Sequence, residues 1–405
     1  MIRFGPSGIP LSCKGRTPRD GIEDVHNLGL NAIELQFVRV NVEERYAHEN
    51  EFGLRRRDVQ GQIIVDILRE QAPEPPEPVA PPLKKAAKKG AKGRKGAKGK
   101  KAAPAKTAAE PASEGVAAHA PPAPPEAPAG PGGPSVRPVA DEGAAIEPGD
   151  VLRVLHTSVG TDYADLADTG SLARDLDVHL TIHAPYYMDL LGDEYVSTRS
   201  MDAIIYGGVV ADALRAPMLV THLGLYHAAS REDSMHNVLA KLKEIEAGYV
   251  ARKVKARLGL ETSGKQMVFG QLEEVLSVCQ KVKRCQPVLN FAHIHAREKG
   301  LLKRPEEFQE VFDRTKELIG TDVFYTQFSG VQHEGGNERR YTPIKKGDLR
   351  FEPLAECMLE NDFDVTIISS SPLMEHDAMY MKVIYERLAL RKEMKLTRGK
   401  AVLAH

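Results

Sequence analysis

Short apolar runs closed by polar or turn-forming residues recur along the chain: IRFG (2–5), NAIELQF (31–37), HLTIHA (179–184) and PMLVTH (217–222). ARLGLE (256–261), QPVLNF (286–291), DVFYTQF (322–328) and DVTIIS (364–369) continue the series. These runs are near-continuous rather than alternating, as expected of strands covered on both faces. Apolar residues at helical spacing lie between them, near 18–29, 56–70, 198–214, 231–253, 270–284, 305–319, 351–361 and 375–391. Eight strand–helix repeats predict an α/β fold, a (β/α)8 TIM barrel. An open doubly wound sheet is the alternative. The count of eight, and the lack of a GxGxxG turn after the first strand, argue against it. Residues 148–175 fit the pattern less clearly: LRVLHTSVG is an extra strand or a loop, with helix-like residues after it.

The pattern fails over 72–147, which is mostly Pro, Ala, Gly, Lys and Glu. Such a composition cannot bury enough apolar surface to offset ordering entropy, so disorder is expected. Eleven Lys or Arg and no acid lie between Lys84 and Lys106, beginning with Lys84, Lys85, Lys88 and Lys89. The stretch suits sequence-independent contact with nucleic-acid phosphates, and equally a solubilising tether. Three regions follow: 1–71 as the first part of the barrel, with strands one and two; 72–147 as a basic loop insertion; and 148–405 as the remaining strands.

The rest of the composition excludes more than it assigns. The chain has 405 residues, 42% hydrophobic, with a formal net charge of −1. No apolar run reaches membrane-spanning length, and MIRFGPSGIP lacks a signal-peptide core. The four cysteines form no CxxC pair, which makes a reduced cytoplasmic setting the expectation and thiolate-held zinc a poor fit.

Reactive groups of such barrels sit where strands end. Strand two carries Glu34 and Gln36, strand three ends in His183, strand four in His222 and strand five in Glu261. Asn290 and His293 follow strand six, Gln327 ends strand seven, and Ser370 ends strand eight. A lone histidine at a strand end is usually a hydrogen-bonded structural residue. His, His and Glu on consecutive strands match a catalytic zinc set with a fourth position left open.

The ordered motifs FGPSGIPLSCKGR, HAPYY, THLG, LGLETSGK, NFAHIHAR, QFSG and IISSSPLMEHDA carry a resemblance. Together they resemble the endonuclease IV branch (AP endonuclease family 2) of the xylose-isomerase-like barrels, and its archaeal members most. That resemblance implies a trinuclear metal cluster, usually zinc, which cuts DNA on the 5′ side of an abasic site. It places His183, His222 and Glu261 as ligands of a first metal. For the second metal it calls for Asp, His and Glu where this chain has Asn290, Gln327 and Ser370. For the third it keeps His293, but its Asp-x-His pair falls on Arg339 and Tyr341. His333 and Glu338 are candidates to substitute if the loop runs differently.

The expectation is therefore a reduced centre holding one zinc on His183, His222 and Glu261. Glu261 and His293 are the candidate catalytic groups, acting on a DNA phosphodiester in abasic-site repair. Arg339, Arg340, Lys345 and Lys346 are candidates for neutralising phosphate, against the plainer reading of solvated surface charge. An inactive barrel that binds nucleic acid or a partner is the alternative. A sugar isomerase or epimerase fits less well, because such cousins hold their metal on strands five to eight, where the ligands are replaced. Tyr186 and Tyr187 suit stacking or core packing. Asp189 is a candidate helix cap, and His295 would share a face with His293 if the strand continued.

Overall fold

The computed structural model describes residues 1–36, 38–70, 136–361 and 363–403. Its strands are β1 (Ile2–Pro6), β2 (Ala32–Leu35), β3 (Val40–Tyr46), β4 (Ile63–Glu70), β5 (Val136–Pro138), β6 (Val151–Thr157) and β7 (His179–His183). They continue as β8 (Met218–Thr221), β9 (Arg257–Glu261), β10 (Cys285–Asn290), β11 (Val323–Phe328), β12 (Gly330–Glu334), β13 (Asn337–Thr342) and β14 (Asp364–Ser369). The helices are α1 (Pro18–Asn27), α2 (Tyr163–Asp175), α3 (Glu194–Ala213), α4 (Arg231–Ala251) and α5 (Leu272–Lys281). α6 (Phe291–Arg297), α7 (Pro305–Ile319), α8 (Glu352–Glu360) and α9 (Glu375–Leu403) follow.

Eight parallel strands in the order β1-β14-β11-β10-β9-β8-β7-β2 form a nearly closed TIM barrel. The seam lies between β1 and β2. There the contacts are a single bridge between Ser7 and Glu34 and two bonds at Phe4. The Asn31 N–H donates to the Phe4 carbonyl at 3.1 Å, and the Phe4 N–H donates to Asn31 Oδ1 at 2.9 Å. Gly5 permits this approach, since a Cβ there would lie 1.7 Å from the Ala32 carbonyl oxygen. Inside the barrel Ala32, Met218, Val220, Val288, Tyr325 and Ile368 form one buried layer. Side chains alternate along a strand, so the interior positions two residues on are Glu34, His222, Asn290, Gln327 and Ser370. That step lifts the polar set to the C-terminal mouth. A larger core fills the space between the strands and the helices outside them.

The expected helix at 56–70 is absent. Its second half is the strand β4, which pairs antiparallel with β6, and β6 pairs antiparallel with β3. The run IIVDIL is rich in β-branched residues, which lose rotamer freedom in a helix and pack well on a pleated face. Ile64, Ile67, Leu152 and Val154 give this added sheet its own small core. LRVLHT is therefore an extra strand, and the helix after it, α2, is the second barrel helix. Residues 71–135, which hold Lys84, Lys85, Lys88, Lys89 and most of the expected insertion, lie outside the described residues. Chain entry into that segment follows β4 of the added sheet rather than a barrel helix.

Two further features shape the mouth. FAHIHAR is the short helix α6, capped by Asn290, whose Oδ1 accepts the His293 N–H at 3.2 Å. The loop after β11 folds into the hairpin β12–β13. Its two-residue turn is Gly335-Gly336, with φ of 59° and 78°, the left-handed pair that such hairpins demand.

Candidate functional site

β7, β8 and β9 bring His183, His222 and Glu261 together, with one ligand atom of each within 4.8 Å of the others. Glu261 Oε2 lies 2.8 Å from His183 Nε2 and 3.4 Å from His222 Nε2. His183 and Glu261 are buried, and His222 is partly open to the cavity. Burial opposes the His183 imidazolium, but the Glu261 hydrogen bond and the charge of Glu34 outweigh it and raise its pKa to about 9. Burial takes the His222 ring the other way, to about 4. For Glu261, burial is overcome by His222, His183 and His293, which hold its carboxyl far below the ordinary range.

Ring tautomers separate this group from a second cluster. His183 Nδ1 faces the Ala184 carbonyl oxygen and so carries a proton in either charge state; Nε2 donates to Glu261 in the imidazolium and offers a lone pair once that one proton is displaced. That is the arrangement a metal requires, with the far nitrogen anchored to a carbonyl. His295, His333 and Asp348 also gather within ligand distance. Here the Leu302 N–H donates to His295 Nδ1 at 3.1 Å. The proton of neutral His295 is then on Nε2, which points toward Asp348 Oδ1 at 3.3 Å. A nitrogen holding that proton does not ligate, so His295 offers this cluster no ligand, and its Nε2 is a buried donor without a hydrogen-bond partner among the described residues. His295 thus faces away from His293, because the chain turns helical between them.

The positions that the resemblance marked as altered form one network. Asn290 Nδ2 lies 2.8 Å from Glu261 Oε1, 3.0 Å from Gln327 Oε1 and 2.8 Å from the Tyr341 hydroxyl. Ser370 Oγ donates to Gln327 Oε1 at 3.2 Å. Gln327 Nε2 donates to Glu34 at 3.0 Å, and the Tyr325 hydroxyl donates to Glu34 at 2.8 Å. Gln36 also donates to Glu34. Glu34 is fully buried, its pKa raised by burial, and it meets amides and a phenol rather than a salt-bridge partner.

His293 lies on the other side of Glu261. Its Nδ1 faces the Thr262 carbonyl, and its Nε2 lies 2.7 Å from the Tyr341 hydroxyl and 2.9 Å from Glu338 Oε2. Glu338 and Tyr341 both come from β13, so the hairpin supplies what the sequence left open for that loop. Arg339 and Arg340 do not reach the site. Arg339 pairs with Glu334 and Arg340 with Gln332. Lys345 sits 4.1 Å from the centroid of the Tyr380 ring, and neither it nor Lys346 lines the cavity.

The mouth opens into a cavity of about 750 Å³, into which His183, His222, Glu261, His293, Gln327 and Ser370 all face. Met188, Leu225, Val268 and Met374 give it apolar walls, and Tyr186 and Tyr187 stand exposed at its rim. Lys265 is the only Lys or Arg lining it among the described residues. Sequence reasoning passed over Lys265, four residues beyond Glu261 in ETSGK. It also passed over Arg297, which lies buried under the same loop. The residue that caps α3 is Asp193 rather than Asp189. Asp189 instead accepts the Leu191 and Leu225 N–H groups and faces His227, tying two mouth loops together.

A family model described as xylose isomerase-like TIM barrel matches residues 140–384, more than half of the chain. The chain belongs to that family. It is 26% identical over 216 residues to an uncharacterised protein of Methanocaldococcus jannaschii, covering 52% of this chain and 78% of that one. Among solved structures it is similar to a D-tagatose 3-epimerase-like protein, with a TM-score of 0.46, 18% identity, and 56% and 85% of the two chains covered. It is also similar to endonuclease IV from Thermus thermophilus, with a TM-score of 0.45, 18% identity, and 57% and 81% covered. Among the described residues no helix is long and apolar enough to cross a membrane.

Proposed function

We propose that this barrel is a metal-dependent hydrolase that holds one divalent ion, zinc in the first instance, on His183, His222 and Glu261 and acts on a phosphodiester of DNA. The observation that carries the reading is the convergence of the two imidazoles on Glu261 Oε2, with the His183 ring anchored to leave Nε2 inward. Two imidazoles and a carboxylate suit zinc and leave a coordination position toward the cavity. An ion bound there would polarise a substrate oxygen and lower the pKa of a water.

The chain's own groups then have separable tasks. Glu261 accepts from Asn290 on Oε1 and presents Oε2 to the histidines. His293 can accept a hydrogen bond from the Tyr341 hydroxyl or, once charged, donate to Glu338. Lys265 is the cation placed to meet a phosphate at the mouth. Further contact with the DNA backbone is assigned to the basic run from Lys84 to Lys106.

Metal-replete protein should nick a duplex carrying one abasic site, lose turnover but not affinity to a chelator, and lose turnover in His183→Ala. An unchanged duplex with metal demonstrably bound would overturn the reading. The scarcity of cations around the cavity argues against phosphodiester chemistry at the mouth and leaves a second reading, a barrel that binds a nucleic acid through its basic run, or a partner, without chemistry. Chelator-insensitive DNA binding with no turnover would support that one.

A further inference from the structure

The network beneath the mouth has a fixed direction. Asn290 cannot be flipped, because its Oδ1 accepts the His293 N–H as the cap of α6, so its two amide protons are shared among Glu261 Oε1, Gln327 Oε1 and the Tyr341 hydroxyl. Gln327 cannot be flipped either, because its Nε2 faces the buried Glu34 carboxylate and its Oε1 receives Asn290 and Ser370. Every donor in the series points inward, from Ser370 and Asn290 to Gln327 and from Gln327 to Glu34. Glu34 accepts from Gln36, Gln327 and Tyr325 and meets no Lys or Arg among the described residues. It anchors the series.

Two consequences follow for Glu261. Its Oε1 is engaged by the Asn290 N–H and lies 3.3 Å from His293 Nδ1, which leaves Oε2 to His183 and His222 and fixes the carboxylate in one orientation. The room beside Oε1, bounded by β10, β11 and β14, is filled by amide and hydroxyl groups whose protons already face the available oxygens. A cation placed there would meet N–H groups rather than lone pairs and would replace no charge, since Asn290, Gln327 and Ser370 are all neutral.

We infer that Glu34, Gln327 and Asn290 act as a positioning relay that limits this centre to a single divalent ion and orients Glu261 toward it. The inference rests on the proposed His183–His222–Glu261 ion site and adds the residues that set its count and affinity. It gives Glu34 a task that strand-end position alone does not: the buried acceptor that holds a run of amides in one orientation.

The test is calorimetric titration of Zn2+ alone into metal-stripped full-length protein, with elemental analysis after desalting. Wild type should take one ion per chain, and a His183→Ala, His222→Ala variant none. Asn290→Ala should keep the count at one and weaken the affinity about tenfold or more, as loss of a group bonded to a ligand does. Asn290→Gln should not restore it, because the longer amide cannot keep both the α6 cap and the Glu261 bond. The double variant Asn290→Asp, Gln327→His, checked for folding by circular dichroism, should take two ions. Two ions in wild type, one in the folded double variant, or an unchanged affinity in Asn290→Ala would each overturn the relay. If wild type takes no zinc, or the His183→Ala, His222→Ala variant takes as much as wild type, the ion site itself fails and the relay with it.

Discussion

Arg297 is the residue through which the mouth loop is best perturbed. It is 3% exposed on α6, and Nη1 points at three carbonyls of the loop after β9: Ser263 at 3.2 Å, Lys265 at 2.6 Å and Val268 at 2.9 Å. Nη2 meets the Tyr226 hydroxyl at 3.2 Å, which in turn donates to Glu274. The loop so held contributes Ser263, Lys265 and Val268 to the cavity. Nη1 has two protons for three acceptors, so two full bonds are the fair count. At about 1.5–3 kcal/mol for each charged bond, the gross loss in Arg297→Ala is about 3–6 kcal/mol. Removing a buried cation recovers part of that, so a net loss of about 3 kcal/mol is expected. Taken over the roughly 330 described residues, this lowers Tm by about 4 °C. The assay is thermal melting of wild type, Arg297→Ala and Arg297→Lys, with limited proteolysis across 262–270. Lysine lacks the planar fork and should recover less than half of the difference. An alanine variant that melts within 1 °C of wild type with an uncut loop would refute the clamp, and a lysine variant equal to wild type would refute the role of the fork.

Three other perturbations probe the scaffold. Gly5→Ala puts a methyl against the Ala32 carbonyl oxygen, 1.7 Å from an ideal Cβ, and should part the β1–β2 seam; hydrogen exchange should rise at Asn31 and Phe4 before it rises elsewhere. Asp66 is nearly buried and holds Arg252 at 2.7 Å beside the Tyr206 hydroxyl, joining the added sheet to the outer helices. Asp66→Ala should cost about 3–5 kcal/mol in urea unfolding, because it leaves a guanidinium without its partner; a loss below 1 kcal/mol would deny the link. His179 has its pKa lowered to about 4 by burial and then by Arg3. A depressed base contributes stability above its unfolded pKa of about 6.5 that is lost as pH falls toward 4. Relative to His179→Phe, wild type should lose about 2 kcal/mol between pH 7 and pH 4.5. Parallel pH profiles would show that the ring is not held neutral.

The barrel was legible because its strands are buried on both faces and its helices are not, so the two periods differ at every repeat. What was not legible turns on local choices the apolar pattern does not encode. IIVDIL reads as apolar in either period, and only its pairing with Val151–Thr157 makes it a strand. FAHIHAR continues an apolar run and yet turns helical, because Asn290 caps it. A proton position likewise distinguishes two clusters that each combine two histidines with a carboxylate. His, His and Glu on consecutive strand ends were visible in order, but so were His295, His333 and Asp348 once the hairpin was known. The first group has a carbonyl behind the His183 ring and the second has an N–H behind the His295 ring. No spacing rule carries that information, since it depends on the backbone brought behind each ring by elements distant in sequence. The same holds for Asn290 and Gln327. Read singly, they are two carboxylate or imidazole ligands lost. Read with Glu34, which lies hundreds of residues earlier on β2, they are a connected set of donors with one orientation. The substitution of neutral amides at these positions is then coherent chemistry rather than decay, because each new N–H has an acceptor already waiting for it.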